Sequence, residues 1–127
     1  MTDTSRSFVV AVVDDDPGIL RSLEYLLESA DYDVRSYTSA QALLGSGALP
    51  KIDCLISDID MPGLDGLELL KEVRIVRPRL PMFLITGYPD RLGRLPQQRE
   101  ANLRCFSKPF QGPELLEALS EAIRAGG

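Results

Sequence analysis

The chain has 127 residues, of which 44% are hydrophobic and 26% are charged, a composition typical of one soluble globular domain. Its net charge of −5 argues against nonspecific nucleic-acid binding, which depends on basic charge. There is no histidine, so catalytic histidine, histidine-ligated zinc and a phosphohistidine donor are excluded. The two cysteines, Cys54 and Cys105, are too few for a disulfide scaffold. We expect both to be buried free thiols in a reducing cytoplasm.

The sequence carries no sign of a membrane segment or an export signal. No apolar run approaches the ~20 residues that a membrane span needs. The residues before Phe8 lack the apolar core of a signal peptide. We therefore expect a cytoplasmic protein that does not insert into a membrane.

Five short apolar segments predict β-strands. The first, residues 8–13, is rich in β-branched residues without polar alternation, as in a strand buried on both faces. The others are residues 34–37, 54–57, 81–85 and 103–106. Because amphipathic segments separate them, the pattern predicts repeated strand–helix units and an α/β fold with a parallel sheet.

Local signals predict where the first two helices begin. Asp16 before Pro17 is typical of a helix start, with the acid as cap and proline at the first helical position. Thr38 with Gln41 fits a capping box that opens a short second helix. Residues 45–50 after this helix are expected to form a loop.

The second half of the chain contains two clear helices and one doubtful one. Residues 61–63 predict a turn, residues 64–76 predict a helix, and Pro113 opens the last helix. Residues 88–102 contain prolines and a glycine that interrupt a helical pattern, and proline costs roughly 3 kcal/mol inside a helix. We expect a loop or a broken helix there.

Polar residues stand at the carboxyl ends of four predicted strands. They are Asp14, Asp15 and Asp16 after the first strand, Asp58 after the third, Thr86 after the fourth and Lys108 after the fifth. Ligands of open parallel sheets bind beyond these ends, so we expect the residues to meet. Carboxylates suit a hard cation such as Mg²⁺, and an ammonium and a hydroxyl suit phosphoryl oxygens. An aspartate can itself be the nucleophile and form an acyl phosphate.

Taken singly, these residues have ordinary explanations. Asp16 is best explained as a helix cap, and Thr86 and Lys108 alone would be a turn residue and a surface lysine. For Asp60 two interpretations are equally supported: a solvated loop acid, or a contribution to the site through its backbone carbonyl. Joint occurrence at consecutive strand ends favours the functional interpretation of the set.

Four motifs occur along the chain in a fixed order. They are Val-Val-Asp14-Asp15-Asp16, Ser-Asp58-Ile-Asp-Met-Pro-Gly-Leu-Asp-Gly66, Ile-Thr86-Gly and Lys108-Pro109-Phe110. In these motifs the chain resembles the receiver domain of bacterial two-component response regulators. The residues within these motifs are most similar to those of the nitrogen-fixation group, whose receivers precede a LuxR-type helix-turn-helix.

The resemblance implies a flavodoxin-like, doubly wound five-stranded parallel sheet of order 2-1-3-4-5, with helices on both faces. Residues 8–124 would form its core. We expect residues 1–127 to be a single receiver domain without an output domain.

The resemblance also implies roles for the site residues. Asp58 accepts a phosphoryl group from a phosphohistidine, and Lys108 pairs with that group. The Lys108–Pro109 bond is cis, and Thr86 rotates toward the phosphorylated site and reports its state. The implied Mg²⁺ ligands are Asp15, Asp58 and the backbone carbonyl of Asp60, with Asp14 acting through a metal-bound water. The receiver is then a phospho-acceptor switch rather than an enzyme.

The implied partners follow from the same resemblance. The phosphoryl donor is a sensor histidine kinase or a phosphotransfer protein. The switch controls an output domain or a partner, in transcription regulation. A homodimer is left open, and neither direct DNA binding by this domain nor a membrane contact is expected.

Two features depart from the family pattern. Many receivers carry an aromatic residue three positions before the lysine, where this chain has Cys105. Phe106 is adjacent, but neighbouring strand residues point to opposite faces, so we do not expect it to substitute. The second departure is the interrupted segment at residues 88–102, for which we expect an order–disorder change or loop shift on phosphorylation.

Three alternatives remain. Asp58-Ile-Asp60 matches the Asp-x-Asp of haloacid-dehalogenase-like phosphatases, although the acidic pair here precedes Asp58 instead of following the lysine. A flavodoxin-like FMN binder would need a phosphate loop where this chain has three aspartates. The last alternative is a degenerate receiver that serves only as an interaction module.

Charge is unevenly distributed along the chain. Residues 71–104 hold eight basic and three acidic residues, an excess of five positive charges in an acidic protein. A solvated surface is the simpler explanation. The alternative is docking to an acidic partner or an intersubunit salt-bridge network.

Overall fold

The computed structural model describes residues 7–88 and 102–126, which form a five-stranded parallel sheet with helices on both faces. The strands are β1 (Val9–Val13), β2 (Asp33–Tyr37), β3 (Cys54–Asp58), β4 (Met82–Thr86) and β5 (Leu103–Ser107). Every neighbouring pair is parallel, and the order is β2-β1-β3-β4-β5. The expected α/β fold and strand order are confirmed.

The described helices are α1 (Pro17–Ser29), α2 (Ala40–Ser46), α3 (Gly66–Val76) and α4 (Gly112–Gly126), with a short 3-10 helix at Leu49–Lys51. Alternate residues of β1 divide the core between them. Val10 and Val12 pack in one apolar cluster with α1 and α4, whereas Ala11 and Val13 pack in the other with α2 and α3. Both sheet faces are therefore covered, which explains the continuous apolar strands.

Two predictions, the interrupted segment and the absence of a membrane span, can be compared only with the residues that the structure describes. The interrupted segment predicted at residues 88–102 lies outside the described residues, apart from its first and last positions. Among the helices of the described ranges, none combines the length and apolar character that crossing a membrane requires.

Side-chain caps fix the starts of α1 and α3. Asp16 Oδ1 accepts the Gly18 N–H at 2.8 Å, and Pro17 occupies the first helical position, as predicted. At α3, Asp65 accepts the Glu68 N–H and the Glu68 carboxylate accepts the Asp65 N–H, both at 2.9 Å. This capping box starts α3 two residues later than the predicted helix at 64–76.

The predicted start and end of α2 were wrong. Ser39, not Thr38, is the cap, and its hydroxyl accepts the Ala42 N–H at 3.0 Å. Ser39 directly precedes Ala40, the first residue of α2, which is buried. Residues 45–50 are not a plain loop, because α2 continues to Ser46 and Gly47 ends it in the left-handed conformation, with φ of 78°.

Two arginines donate hydrogen bonds to backbone carbonyls at the amino-terminal end of the sheet, opposite the strands' carboxyl ends. Arg77 Nη1 donates to the backbone carbonyls of Leu49 at 2.7 Å and Ile52 at 3.0 Å, just before β3. Arg74 Nη1 donates to the carbonyl of Leu80 at 2.7 Å, just before β4. Each guanidinium thus ties the end of α3 to backbone carbonyls that precede a neighbouring strand.

These contacts bear on the basic run at residues 71–104. Arg74 and Arg77 are occupied within the fold, and Arg104 lies 3.2 Å from Glu121 of α4. Part of the excess positive charge therefore serves the domain itself. The docking interpretation therefore loses Arg74 and Arg77, whereas the Arg104 side chain remains 46% exposed.

We expect Arg77→Ala to lower the free energy of unfolding by about 2 kcal/mol, because it removes two charge-assisted hydrogen bonds and leaves partly buried carbonyls unsatisfied. Urea denaturation followed by circular dichroism measures the change. Arg79→Ala removes the same side chain from an exposed position and is the control. Equal midpoints for the two variants would contradict a bracing role for Arg77.

Candidate phosphoacceptor site

Two buried carboxylates occupy the carboxyl ends of adjacent strands. Asp14 directly follows β1 and Asp58 is the last residue of β3, and the pairing of Val13 with Ser57 sets them side by side. Their exposed fractions are 2% and 4%. Two like charges removed from water are costly unless something compensates them. The pair therefore requires a cation or a proton.

Lys108 supplies one compensating charge. Its backbone N–H donates to the carbonyl of Thr86 at 2.7 Å, which ties the residue after β5 to the end of β4. Its Nζ lies 3.4 Å from Asp14 Oδ2 and 3.4 Å from Asp58 Oδ1. The Lys108–Pro109 peptide bond is cis, as the resemblance implied. One ammonium thus serves two carboxylates, which leaves the site net negative.

A third carboxylate joins this pair. Asp14, Asp15 and Asp58 present oxygen atoms that all lie within 4.8 Å of one another, and Asp15 is exposed while the other two are buried. They line an open cleft of about 390 Å³ together with Asp60 and Lys108. Converging hard oxygen donors with surplus negative charge fit Mg²⁺. The donor set therefore agrees with the ion that the sequence predicted.

Burial and repulsion shift the titration of the site. Burial, followed by the charge of Asp14, raises the pKa of Asp58 to about 6 although Lys108 opposes the shift. Burial also raises the pKa of Asp14 above its ordinary value. For Lys108, burial alone would lower the pKa, but the two carboxylates outweigh it and the pKa is raised. Lys108 is thus firmly cationic at neutral pH.

Asp16 is placed beside the site but acts as the cap of α1. Besides accepting the Gly18 N–H, it donates its own backbone N–H to Asp14 Oδ1 at 2.9 Å. The start of α1 therefore orients one of the buried carboxylates. The helix-cap interpretation of Asp16 is confirmed.

Gly66 lets α3 approach the backbone that carries Asp58. A Cβ at this position would lie 2.5 Å from the carbonyl oxygen of Asp58 and 2.7 Å from Cα of Ile59. The Gly66 N–H donates to the carbonyl of Ile59 at 3.0 Å. Only glycine permits this contact, and the sequence motif contained Gly66 without revealing its purpose.

We expect Gly66→Ala to destabilise the protein by about 1–3 kcal/mol, because the added methyl group collides with rigid backbone. Gly45→Ala is the matched control, since a Cβ there meets nothing within 4 Å. Alanine in that helix should stabilise by up to about 1 kcal/mol. Thermal unfolding of the two variants should give opposite signs, and a neutral Gly66→Ala would show that α3 can move away.

Thr86 lies at the end of β4 and is fully buried. Its Oγ1 donates to Asp60 Oδ2 at 2.6 Å and accepts the Tyr88 N–H at 2.9 Å. The backbone N–H of Asp60 in turn donates to Asp58 Oδ1 at 3.3 Å. Asp60 is therefore not a simple solvated loop acid. The contact between the Asp60 side chain and Thr86 was not predicted, because the sequence shows only that an acidic residue lies two positions after Asp58.

Cys105 and Phe106 lie on opposite faces of β5, as expected. Cys105 is half-buried on the α2–α3 face. Phe106 packs on the α1–α4 face, where its ring stacks on Phe83 with centroids 5.6 Å apart. The expectation that both cysteines are buried holds for Cys54 only. Burial raises the pKa of Cys105 to about 11, so the thiol is neutral at physiological pH.

The fold and the acidic cleft at the carboxyl ends of its strands define a class of protein. The family model described as the response regulator receiver domain matches residues 10–120, so the chain belongs to that family. A receiver is a signalling switch rather than a classical enzyme. The family assignment also removes support from the phosphatase and FMN-binding alternatives.

Particular relatives narrow this class. The transcriptional regulatory protein FixJ of Bradyrhizobium diazoefficiens is 36% identical over 117 residues, which cover 91% of this chain and 56% of the relative. Nodulation protein W of the same organism is 33% identical, covering 95% of this chain and 53% of the relative. The similarity to the nitrogen-fixation regulator group is confirmed. The chain spans about half the length of these curated relatives.

Solved structures give the same result. Full-length FixJ from B. japonicum superposes with a TM-score of 0.81 at 34% identity, covering 96% of this chain and 60% of that chain. A response regulator receiver domain protein from Clostridium thermocellum gives 0.83 at 26% identity, covering 93% and 95%. The fold is thus that of receiver domains.

Proposed function

We propose that Asp58 accepts a phosphoryl group from a phosphohistidine of a sensor histidine kinase or phosphotransfer protein. The observation that carries this proposal is the buried Asp58 carboxylate held beside Lys108 and two further aspartates in an open cleft. The resulting aspartyl phosphate switches the domain, which then controls an output domain or a partner in transcription regulation. Residues 1–127 act as a single receiver domain, with a core at residues 8–124.

The reaction uses groups that the cleft provides. A carboxylate oxygen of Asp58 attacks phosphorus, the P–N bond of the phosphohistidine breaks, and its electron pair returns to the imidazole. Asp58 must be ionised to attack, and a pKa of about 6 leaves it mostly ionised near pH 7.5. Lys108, 3.4 Å from Asp58 Oδ1, is placed to pair with the transferred oxygens. Thr86 then turns its hydroxyl toward them.

Mg²⁺ is the cofactor that this donor set favours. Its proposed ligands are Asp15, Asp58 and the backbone carbonyl of Asp60, with Asp14 acting through a metal-bound water. The ion supplies positive charge to the carboxylates and to the phosphoryl oxygens. Without it, the negative charge left after Lys108 repels an incoming phosphoryl group.

Intact-mass spectrometry after incubation with acetyl phosphate and Mg²⁺ tests the proposal. We expect one phosphoryl adduct that is Mg²⁺-dependent, labile to hydroxylamine and absent from Asp58→Asn. Asp31→Asn is the matched control, because Asp31 is exposed and its φ of 70° suits asparagine. Turnover of an added phosphomonoester without an adduct would support the phosphatase alternative. Neither adduct nor turnover would leave an interaction module.

A further inference from the structure

The Thr86 hydroxyl is already engaged in the unphosphorylated protein. Its hydrogen goes to Asp60 Oδ2 at 2.6 Å, while the carbonyl of Tyr88 lies farther away at 3.4 Å. The Tyr88 N–H, donating to Oγ1 at 2.9 Å, holds the oxygen from the other side. A hydroxyl has one hydrogen to donate. That hydrogen is committed to the carboxylate of Asp60.

We propose that Asp60 is a positioning residue whose carboxylate holds the Thr86 hydroxyl in its unphosphorylated orientation and thereby opposes phosphorylation of Asp58. This inference rests on the proposed function, which gives the same hydroxyl a phosphoryl oxygen as its later partner. One hydrogen cannot serve both acceptors. The phosphorylated state must therefore break the bond to Asp60.

The location of this bond makes it costly to break. Thr86 is fully buried, and hydrogen bonds to an ionised acceptor are about twice as strong as neutral ones. Loss of one such bond corresponds to about a tenfold change in an equilibrium constant. Asp60 thus biases the domain toward the unphosphorylated state by about that factor.

Asp60 is also suited to couple the two residues. Its backbone N–H donates to Asp58 Oδ1 at 3.3 Å, and its side chain accepts from Thr86. The proposed metal contact uses the backbone carbonyl of Asp60, whereas the bond to Thr86 uses its side chain. A single residue therefore contacts the phosphoacceptor through its backbone and the switch hydroxyl through its carboxylate.

The first test needs neither Mg²⁺ nor phosphate. NMR three-bond couplings to the Thr86 methyl group report its χ1 rotamer in the unphosphorylated protein. We expect one rotamer in the wild type and rotamer averaging in Asp60→Ala. Asp60→Asn, whose amide oxygen still accepts, should keep the wild-type rotamer. An unchanged single rotamer in Asp60→Ala would overturn the proposal.

The second test measures affinity for beryllofluoride, a phosphoryl mimic, with Mg²⁺ present, by fluorine NMR titration. We expect Asp60→Ala to bind about tenfold more tightly than the wild type, with Asp60→Asn in between. In a Thr86→Ala background, Asp60→Ala should give no further gain. A gain that persists there would mean that the carboxylate charge acts directly on the mimic, and would overturn the positioning role.

The two tests separate the failure of each proposal. If the wild type binds no mimic and takes no phosphoryl group, the proposed function fails, and the rotamer measurement alone decides what Asp60 does. If the wild type binds the mimic but Asp60→Ala binds it equally well, only the positioning role fails.

Discussion

Asp58→Asn should stabilise the metal-free protein by about 1–3 kcal/mol at pH 8, although it destroys the proposed phosphoacceptor. The folded protein raises the pKa of Asp58 from 3.8 to about 6, and a shift of that size corresponds to about 3 kcal/mol at most. Burial and the neighbouring Asp14 cause the shift, so the ionised side chain opposes folding. Asparagine removes the charge, and its amide oxygen can still accept the Asp60 N–H.

The pH dependence gives this effect a definite sign. Because the folded-state pKa lies above the unfolded one, the folded protein binds more protons between pH 3.8 and about 6, and stability from this group falls as pH rises through that range. Above about pH 7 the destabilisation is complete. The advantage of Asp58→Asn should therefore be full at pH 8 and vanish near pH 4.

Urea denaturation in EDTA across pH 4–8 measures that difference, with Asp31→Asn as the exposed control. Added Mg²⁺ should stabilise the wild type more than Asp58→Asn, because a ligand of the folded state raises its stability. A variant that is less stable than the wild type at pH 8, or a difference that does not depend on pH, would contradict the electrostatic account of Asp58.

The location of the site was predictable because it follows from topology. In a parallel sheet, every strand presents its carboxyl end at one edge, so residues far apart in sequence are forced together there. The sequence positions of Asp14, Asp58 and Lys108 were sufficient to predict that they meet. Their 3.4 Å contacts follow from strand order and register rather than from local sequence.

The details that escaped prediction depend on side-chain direction and on packing. The bond from Thr86, the last residue of β4, to Asp60, in the loop after β3, depends on rotamers that no periodicity encodes. Thr38 and Ser39 are adjacent and both suit a helix cap, so residue type alone does not decide between them. Gly66 appeared in a recognisable motif, but its 2.5 Å approach to backbone is visible only in three dimensions.

These predictable and unpredictable features serve the same purpose. The topology brings excess negative charge together at the site. This charge makes the metal-free folded protein less stable than it would be with neutral residues there. The contacts of Asp60 and Gly66 then fix how the backbone and the switch hydroxyl respond to that charge. The loss of folding stability caused by ionised Asp58 is consistent with a site that binds a cation and a phosphoryl group.

Lys108→Met should destabilise the metal-free protein by about 3 kcal/mol, since it removes the ammonium that compensates two buried carboxylates. The Lys108 side chain is only 24% exposed, so solvent screens this loss incompletely. Its removal should also raise the pKa of Asp58 further, because Lys108 now lowers it.

The same variant should bind Mg²⁺ more tightly than the wild type, because the ammonium and the metal ion compete for the negative charge of Asp14 and Asp58. Stability should therefore recover as Mg²⁺ is added, and thermal unfolding at graded Mg²⁺ concentrations measures both effects. Lys71→Met, at an exposed position of α3, is the control and should change neither quantity. Weaker Mg²⁺ binding in Lys108→Met would show that the lysine organises the carboxylates for the ion instead of competing with it. Phosphoryl transfer should fall in either case, because the positive charge placed for the transferred oxygens is gone.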